Sequence, residues 1–166
     1  NSNISAVTLT GSTPAGKSVA EVAGGVLKKT VLELGGSDPY VILRDANIKK
    51  SIDSCINGRI LNTGQSCISA KRLIVVKDVH DQFLDGLKKE LMGKIMGDPN
   101  DNVDIGPMVS LEARDEVHGQ VLKSIEQGSR LLLGGSIPDT LGAFYPITLL
   151  SQVKPGMVAF EKEIFG

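Results

Sequence analysis

The chain has 166 residues, 41% hydrophobic and 22% charged, with a formal net charge of −1 at pH 7. That is enough to bury a core, and the balance is ordinary for a globular domain. A near-neutral chain offers no electrostatic case for nucleic acid or an anionic membrane surface, and no apolar run nears the roughly 20 residues of a membrane span.

Ala6-Val7-Thr8-Leu9-Thr10 predicts a strand, and Ser18 to Val26 a helix. Between them Gly11-Ser12-Thr13-Pro14-Ala15-Gly16-Lys17-Ser18 fits the pattern G-x-x-x-x-G-K-S. Strand, glycine loop and helix together point backbone N–H groups and a helix N-terminus at a phosphate or dinucleotide. Lys29 to Leu34 predicts a second strand, closed by Gly35-Gly36. Glu33 stands amid apolar residues there. Burial would raise its pKa and suit it to general-base work, whereas a half-exposed strand would turn it to water.

Pro39 to Leu43 predicts a third strand, and Asp45-Ala46-Asn47 a helix cap. Ile48, Ile52, Cys55, Ile56 and Ile60 recur at spacings of three and four, so Cys55 lies on the apolar stripe of a helix. Asn62-Thr63-Gly64-Gln65-Ser66-Cys67-Ile68-Ser69-Ala70-Lys71-Arg72 follows, before the strand run Leu73 to Val76. Just past Gly64 and among small polar neighbours, Cys67 is placed to be exposed and is a candidate nucleophile, although a lone intracellular cysteine is more often a small buried hydrophobe and this window alone leaves both readings open.

Further on, Val79-His80-Asp81 opens a helix with Phe83, Leu84, Leu87 and Leu91 on one face and His80 in solvent. Gly97 to Asn102 is a loop whose acids lack a calcium-loop pattern. Leu111 to Gln127 predicts a helix with Val117, Leu122 and Ile125 inward and His118 outward. Leu131 to Leu133 predicts a short buried strand, and Pro146 makes Tyr145 to Leu150 irregular or an edge strand. Strands alternating with helices argue an α/β fold with a largely parallel sheet. Cys55 and Cys67, twelve positions apart with no signal-peptide pattern, are expected to be free thiols in a reducing, cytoplasmic setting. With His80 and His118 they make no zinc spacing, and no metal site is expected.

Four windows stand in order: Thr10 to Gly16, Leu32-Glu33-Leu34-Gly35-Gly36, Gly64-Gln65-Ser66-Cys67, and Glu163-Ile164-Phe165-Gly166. The series, with 34 positions from Glu33 to Cys67, resembles the NAD(P)-dependent aldehyde dehydrogenase superfamily from Val7 to Gly166. The phrasing from Gly142 to Phe160 is most similar to the succinate-semialdehyde dehydrogenase branch. The resemblance implies a three-layer fold, a largely parallel sheet with helices on both faces. It implies that residues 1–33 close a dinucleotide-binding domain and that residues 34–166 belong to the catalytic, thiol-bearing domain.

It also implies roles. Cys67 would attack the aldehyde carbon, its backbone N–H would help hold the oxyanion, and a thioester would follow hydride transfer to NAD or NADP. Glu33 would be the general base. Gly11, Ser12, Gly16 and Leu34 would lie along the cofactor, Glu163 would bond the nicotinamide ribose, and Phe165 would pack near the nicotinamide. Ser66 and Ile68 would touch substrate, while Gln65 and Arg72 would support the loop. A homodimer or homotetramer acting on a small aldehyde, probing neither nucleic acid nor membrane, is expected. The family's remaining parts, including the oxyanion asparagine and a cofactor lysine, would lie outside residues 1–166, so this stretch alone is expected to be inactive. Two rivals stand: a P-loop NTPase using Lys17 for phosphate and Ser18 for magnesium, and a non-catalytic scaffold descended from the dehydrogenase.

Overall fold

The computed structural model describes residues 1–166, which divide into two compact units, Asn1–Gly36 and Ser37–Gly166. The first is one β-α-β turn. Strand β1 (Ala6–Gly11) leads through helix α1 (Thr13–Gly24) to β2 (Lys29–Leu34), which pairs with β1 in parallel from Ala6 opposite Lys29 to Gly11 opposite Leu34. Helix α1 starts five residues before the predicted Ser18. Ser12 is its N-cap, accepting from the Ala15 N–H at 3.4 Å, and Pro14 sits in the first turn where a missing N–H costs nothing. Gly16 lets the helix approach the strand: a Cβ there would stand 2.6 Å from Leu34 Cδ2.

In the second unit β3 (Pro39–Ile42) and β4 (Arg72–Val75) pair in parallel, Pro39 opposite Arg72 and Ile42 opposite Val75. The crossover is helix α2 (Ile48–Ile60), capped by Asn47, whose side chain accepts from the Lys50 N–H at 3.0 Å. Helix α3 (Lys77–Met92) follows β4. Ile42, Ile52, Cys55, Ile56, Phe83, Leu87 and Leu91 form one core, as the three-and-four spacings of α2 and α3 predict. Helix α4 (Leu111–Glu126), capped by Ser110, builds a second core from Val117 and Val121 against Met108, Ala143 and Tyr145. Strands β5 (Arg130–Leu133) and β6 (Leu149–Ser151) pair antiparallel, and a short helix, α5 (Val158–Glu161), precedes the last residues.

The fold is α/β, and the sheet is divided: two parallel pairs and one antiparallel pair. Two assignments on α4 change, one inward and one outward. Val121, not Leu122, is buried, and Leu122 is half exposed, because the stripe continues from Val117 at a spacing of four. His118 is not turned outward but partly buried, its Nδ1 3.0 Å from the Tyr145 hydroxyl. No helix is long and apolar enough to cross a membrane.

Candidate active site

The loop that carries Cys67 begins where α2 stops, and the stop is conformational. Asn62, Thr63 and Gly64 all take left-handed backbone, with φ of 51°, 55° and 75°. Glycine takes this conformation freely, but it costs Asn62 and the β-branched Thr63 free energy, and they persist there only if the surroundings hold them. They are held. Asn62 Nδ2 donates to Gln65 O at 2.9 Å, and Gln65 Nε2 donates back to Asn62 O at 3.2 Å. Gln65 Oε1 accepts from the Val109 N–H at 2.9 Å. Thr63 Oγ1 lies 3.4 Å from Gly106 O and accepts from the Gly106 N–H at 3.3 Å. Buried Ser69 donates to Gly64 O at 3.3 Å. Gln65 thus supports the loop, the role the family resemblance implied for it. The Arg72 side chain reaches away from the loop: its Nε donates to Ser37 O at 2.8 Å and its guanidinium lies 5.2 Å from the Phe160 ring centre, so it ties β4 to the chain before β3 and to α5.

Two cations clamp the loop from inside. The Lys71 side chain is 2% exposed, and its ammonium donates to Ser66 O at 2.8 Å and Cys67 O at 2.9 Å, with Glu163 Oε1 3.1 Å away. That last contact is at ion-pair distance but outside hydrogen-bond alignment. The Arg59 guanidinium donates to Gly64 O, Ile164 O and Gly166 O. Burial draws its pKa below the ordinary arginine value, and the nearby Glu163 carboxylate opposes that. The two cations therefore join the thiol loop to the segment carrying Glu163 and Phe165. Sequence reading gave neither a role. The available signal was a basic residue in the last turn of α2 and a lysine four places past the cysteine, both ambiguous without their partners.

The resulting surface is accessible. Cys67 is exposed, Ile68 is 66% exposed and Phe165 46% exposed, while Cys55 is buried at 3% in the core. Neither the Cys67 nor the Ile68 N–H bonds to another backbone group. A cavity of about 460 Å³ lies deeper, lined by Ile56, Leu87, Met108, Val121, Tyr145 and Leu149 among others. Thr63, Gly64, Lys71 and Gly166 of the clamped loop also line it, whereas Cys67 and Glu163 are absent from its walls.

In the first unit, the strand period of two puts Lys29, Val31 and Glu33 on the exposed face of β2 and Thr30, Leu32 and Leu34 on the other. The expected apolar enclosure of Glu33 is therefore not supplied within that unit. Gly11 ends β1, and Ser12 is both cap and exposed surface. Gly16 is buried under Leu34, so its lack of a side chain serves helix–strand contact. The P-loop reading fails here. A phosphate cradle needs an extended loop before the lysine, but one residue separates β1 from α1, and Lys17 and Ser18 lie inside the helix. What the turn does offer an anion is the exposed N-terminus of α1. No three His, Cys, Asp or Glu side chains gather where they could hold a metal ion.

Comparison with known proteins agrees along the whole chain. The profile of the aldehyde dehydrogenase family matches residues 1–166. The NAD(P)+ succinate semialdehyde dehydrogenase Sad of Escherichia coli (strain K12) is 45% identical over 167 residues, covering 100% of this chain and 36% of that protein. The NADP(+) succinate-semialdehyde dehydrogenase of Mycobacterium avium (strain 104) is 42% identical over 164 residues, covering 98% of this chain and 35% of that one. Among solved structures, a succinic semialdehyde dehydrogenase from Streptococcus pyogenes in complex with NADP+ superposes with a TM-score of 0.96 at 36% identity, over 100% of this chain and 37% of that one. The chain thus spans little more than a third of the length of the relatives it matches.

Proposed function

The chain belongs to the aldehyde dehydrogenase family, and from that premise we propose that the native polypeptide carrying residues 1–166 oxidises a small aldehyde, succinate semialdehyde foremost, to its acid with NAD(P)+. The observation that carries the reading is the exposed Cys67 on a loop whose carbonyls are drawn inward to buried Lys71. The names of the two curated relatives support the substrate and both cofactors.

In this reading the Cys67 thiolate adds to the aldehyde carbon. A carbon–sulfur bond forms, and the carbonyl π pair moves to oxygen, where the Cys67 N–H receives the negative charge. The chemistry supplied by a bound nicotinamide is hydride acceptance, which turns the thiohemiacetal into a thioester. Glu33 then takes a proton from the water that adds to the thioester carbon, and the thiolate leaves as the acid forms. Ser66 and Ile68 flank the sulfur and face the aldehyde's remaining chain. Each unit offers residues that would hold the cofactor. Glu163 has one oxygen against Lys71 and its second without an internal donor, which suits a ribose hydroxyl pair. Phe165 offers an exposed ring for the nicotinamide. Gly11, Ser12, Gly16 and Leu34 form the βα turn whose exposed helix start suits the phosphates. Residues 1–33 would then close the dinucleotide-binding domain and residues 34–166 form most of the thiol domain.

The test is oxidation of succinate semialdehyde by the native polypeptide with NAD or NADP, followed as reduced nicotinamide. Cys67→Ala is expected to lower kcat by about three orders of magnitude or more, the scale for loss of a covalent nucleophile. Unchanged turnover in Cys67→Ala refutes the nucleophile, and no turnover of any small aldehyde by the wild type refutes the activity.

A further inference from the structure

We propose that Lys71 is a positioning residue that aims the backbone donors beside Cys67 at the developing oxyanion. The inference rests on the proposed aldehyde oxidation.

Every peptide in the chain is trans, so the carbonyl of one residue and the N–H of the next point in opposite directions. Lys71 Nζ binds the carbonyls of Ser66, at 2.8 Å, and Cys67, at 2.9 Å. Holding Ser66 O inward turns the Cys67 N–H outward, and holding Cys67 O inward does the same for the Ile68 N–H. Both N–H groups lack a backbone acceptor, and both belong to the exposed stretch that carries the sulfur. The ammonium has three N–H bonds and three oxygens around it: the two carbonyls and Glu163 Oε1 at 3.1 Å. With its side chain 2% exposed it has no water to turn to. A buried cation that spends its donors on two successive carbonyls is a rigid way of fixing two peptide planes, and fixed donors outperform mobile ones at a transition state. Glu163 balances the ammonium's charge at ion-pair distance, so the thiol loop and the proposed ribose-binding carboxylate share one anchor.

The chemistry gives a readout that mere loop support does not move. Attack on an aldehyde places charge on oxygen and needs the aimed donors. Alkylation of the same sulfur by iodoacetamide expels iodide and places no charge on a carbonyl oxygen. In the native polypeptide, Lys71→Met keeps the stem but loses every donor. We expect kcat for aldehyde oxidation to fall about 10- to 100-fold, somewhat less than the loss of an oxyanion donor itself. The rate of Cys67 alkylation should stay within about threefold of wild type, and Lys71→Arg, which restores charge and donors, should recover part of the turnover. Should Lys71→Met fail to fold, the same ratio of oxidation to alkylation in Lys71→Arg decides, since an altered fork geometry should still lower oxidation more than alkylation. Oxidation and alkylation falling together, or neither falling, would overturn the positioning role. A wild type that oxidises no aldehyde while Cys67 alkylates normally would instead overturn the reading beneath it.

Discussion

Replacing Gly64 with alanine adds one methyl group to the loop that carries Cys67, and the structure allows its cost to be worked out. Gly64 has φ +75°, a conformation that costs an L-residue about 1–2 kcal/mol. Its new Cβ would lie 2.8 Å from Gly166 C and 3.0 Å from Gly166 O. Those are backbone atoms, which cannot swing aside as a side-chain end can, so overpacking adds about 1–3 kcal/mol. Restricting the unfolded chain returns about 0.4–1 kcal/mol. The net loss is about 1–5 kcal/mol. Two other glycines of the same unit separate the contributions. Gly156 has φ +89° and nothing within 4 Å of a built Cβ, so Gly156→Ala carries the conformational cost alone and should lose about 1 kcal/mol or less. Gly119 is exposed within α4, with open space and ordinary helical backbone, so Gly119→Ala should gain about 0.5–1 kcal/mol. Urea unfolding of the three variants should show shifted midpoints at constant slope. Equal losses in Gly64→Ala and Gly156→Ala, within about 0.5 kcal/mol, would refute the contact with Gly166 as a determinant of the loop.

Other expectations follow from the same contacts. Iodoacetamide with mass spectrometry should label exposed Cys67 in the native state and buried Cys55 only on unfolding; comparable rates at the two would contradict the core assignment. Burial raises the Cys55 thiol above its ordinary value of 9.0, so above that pH the unfolded chain loses a proton that the folded one keeps. Stability should therefore fall as pH rises past about 9, and Cys55→Ala should flatten that slope while lowering stability overall; an unchanged slope would remove Cys55 as its cause. Arg59→Met leaves Ile164 O and Gly166 O without their side-chain donor, while Gly64 O keeps Ser69, and should cost at least about 2 kcal/mol in urea; a loss below about 1 kcal/mol would show that water replaces the guanidinium. Ser110→Ala removes the α4 cap, where Ser110 accepts from the Ala113 N–H at 3.1 Å, and should cost about 1 kcal/mol by thermal unfolding.

By itself the sequence determined what is local. The stripe Ile52, Cys55 and Ile56 and the stripe Phe83, Leu87 and Leu91 are written at the period of a helix, and both face the same core. Cys67 follows a helix and a glycine, and such a segment leaves a small polar-flanked residue exposed. The ordered motifs carried the family for the same reason, since each is a few adjacent residues. Tertiary structure decided the rest. The start of α1 at Thr13 hinged on Ser12 acting as a cap instead of a loop residue, which a glycine-rich string leaves open. Glu33 has apolar neighbours in sequence, yet the strand's period of two turns them to the opposite face. Arg59 finds its acceptors 105 and 107 positions away, and Lys71 meets Glu163 at the far end of the chain. Propensity and periodicity act over a turn or two, but the partner of a buried charge is whatever oxygen the folded chain brings within 3 Å or so.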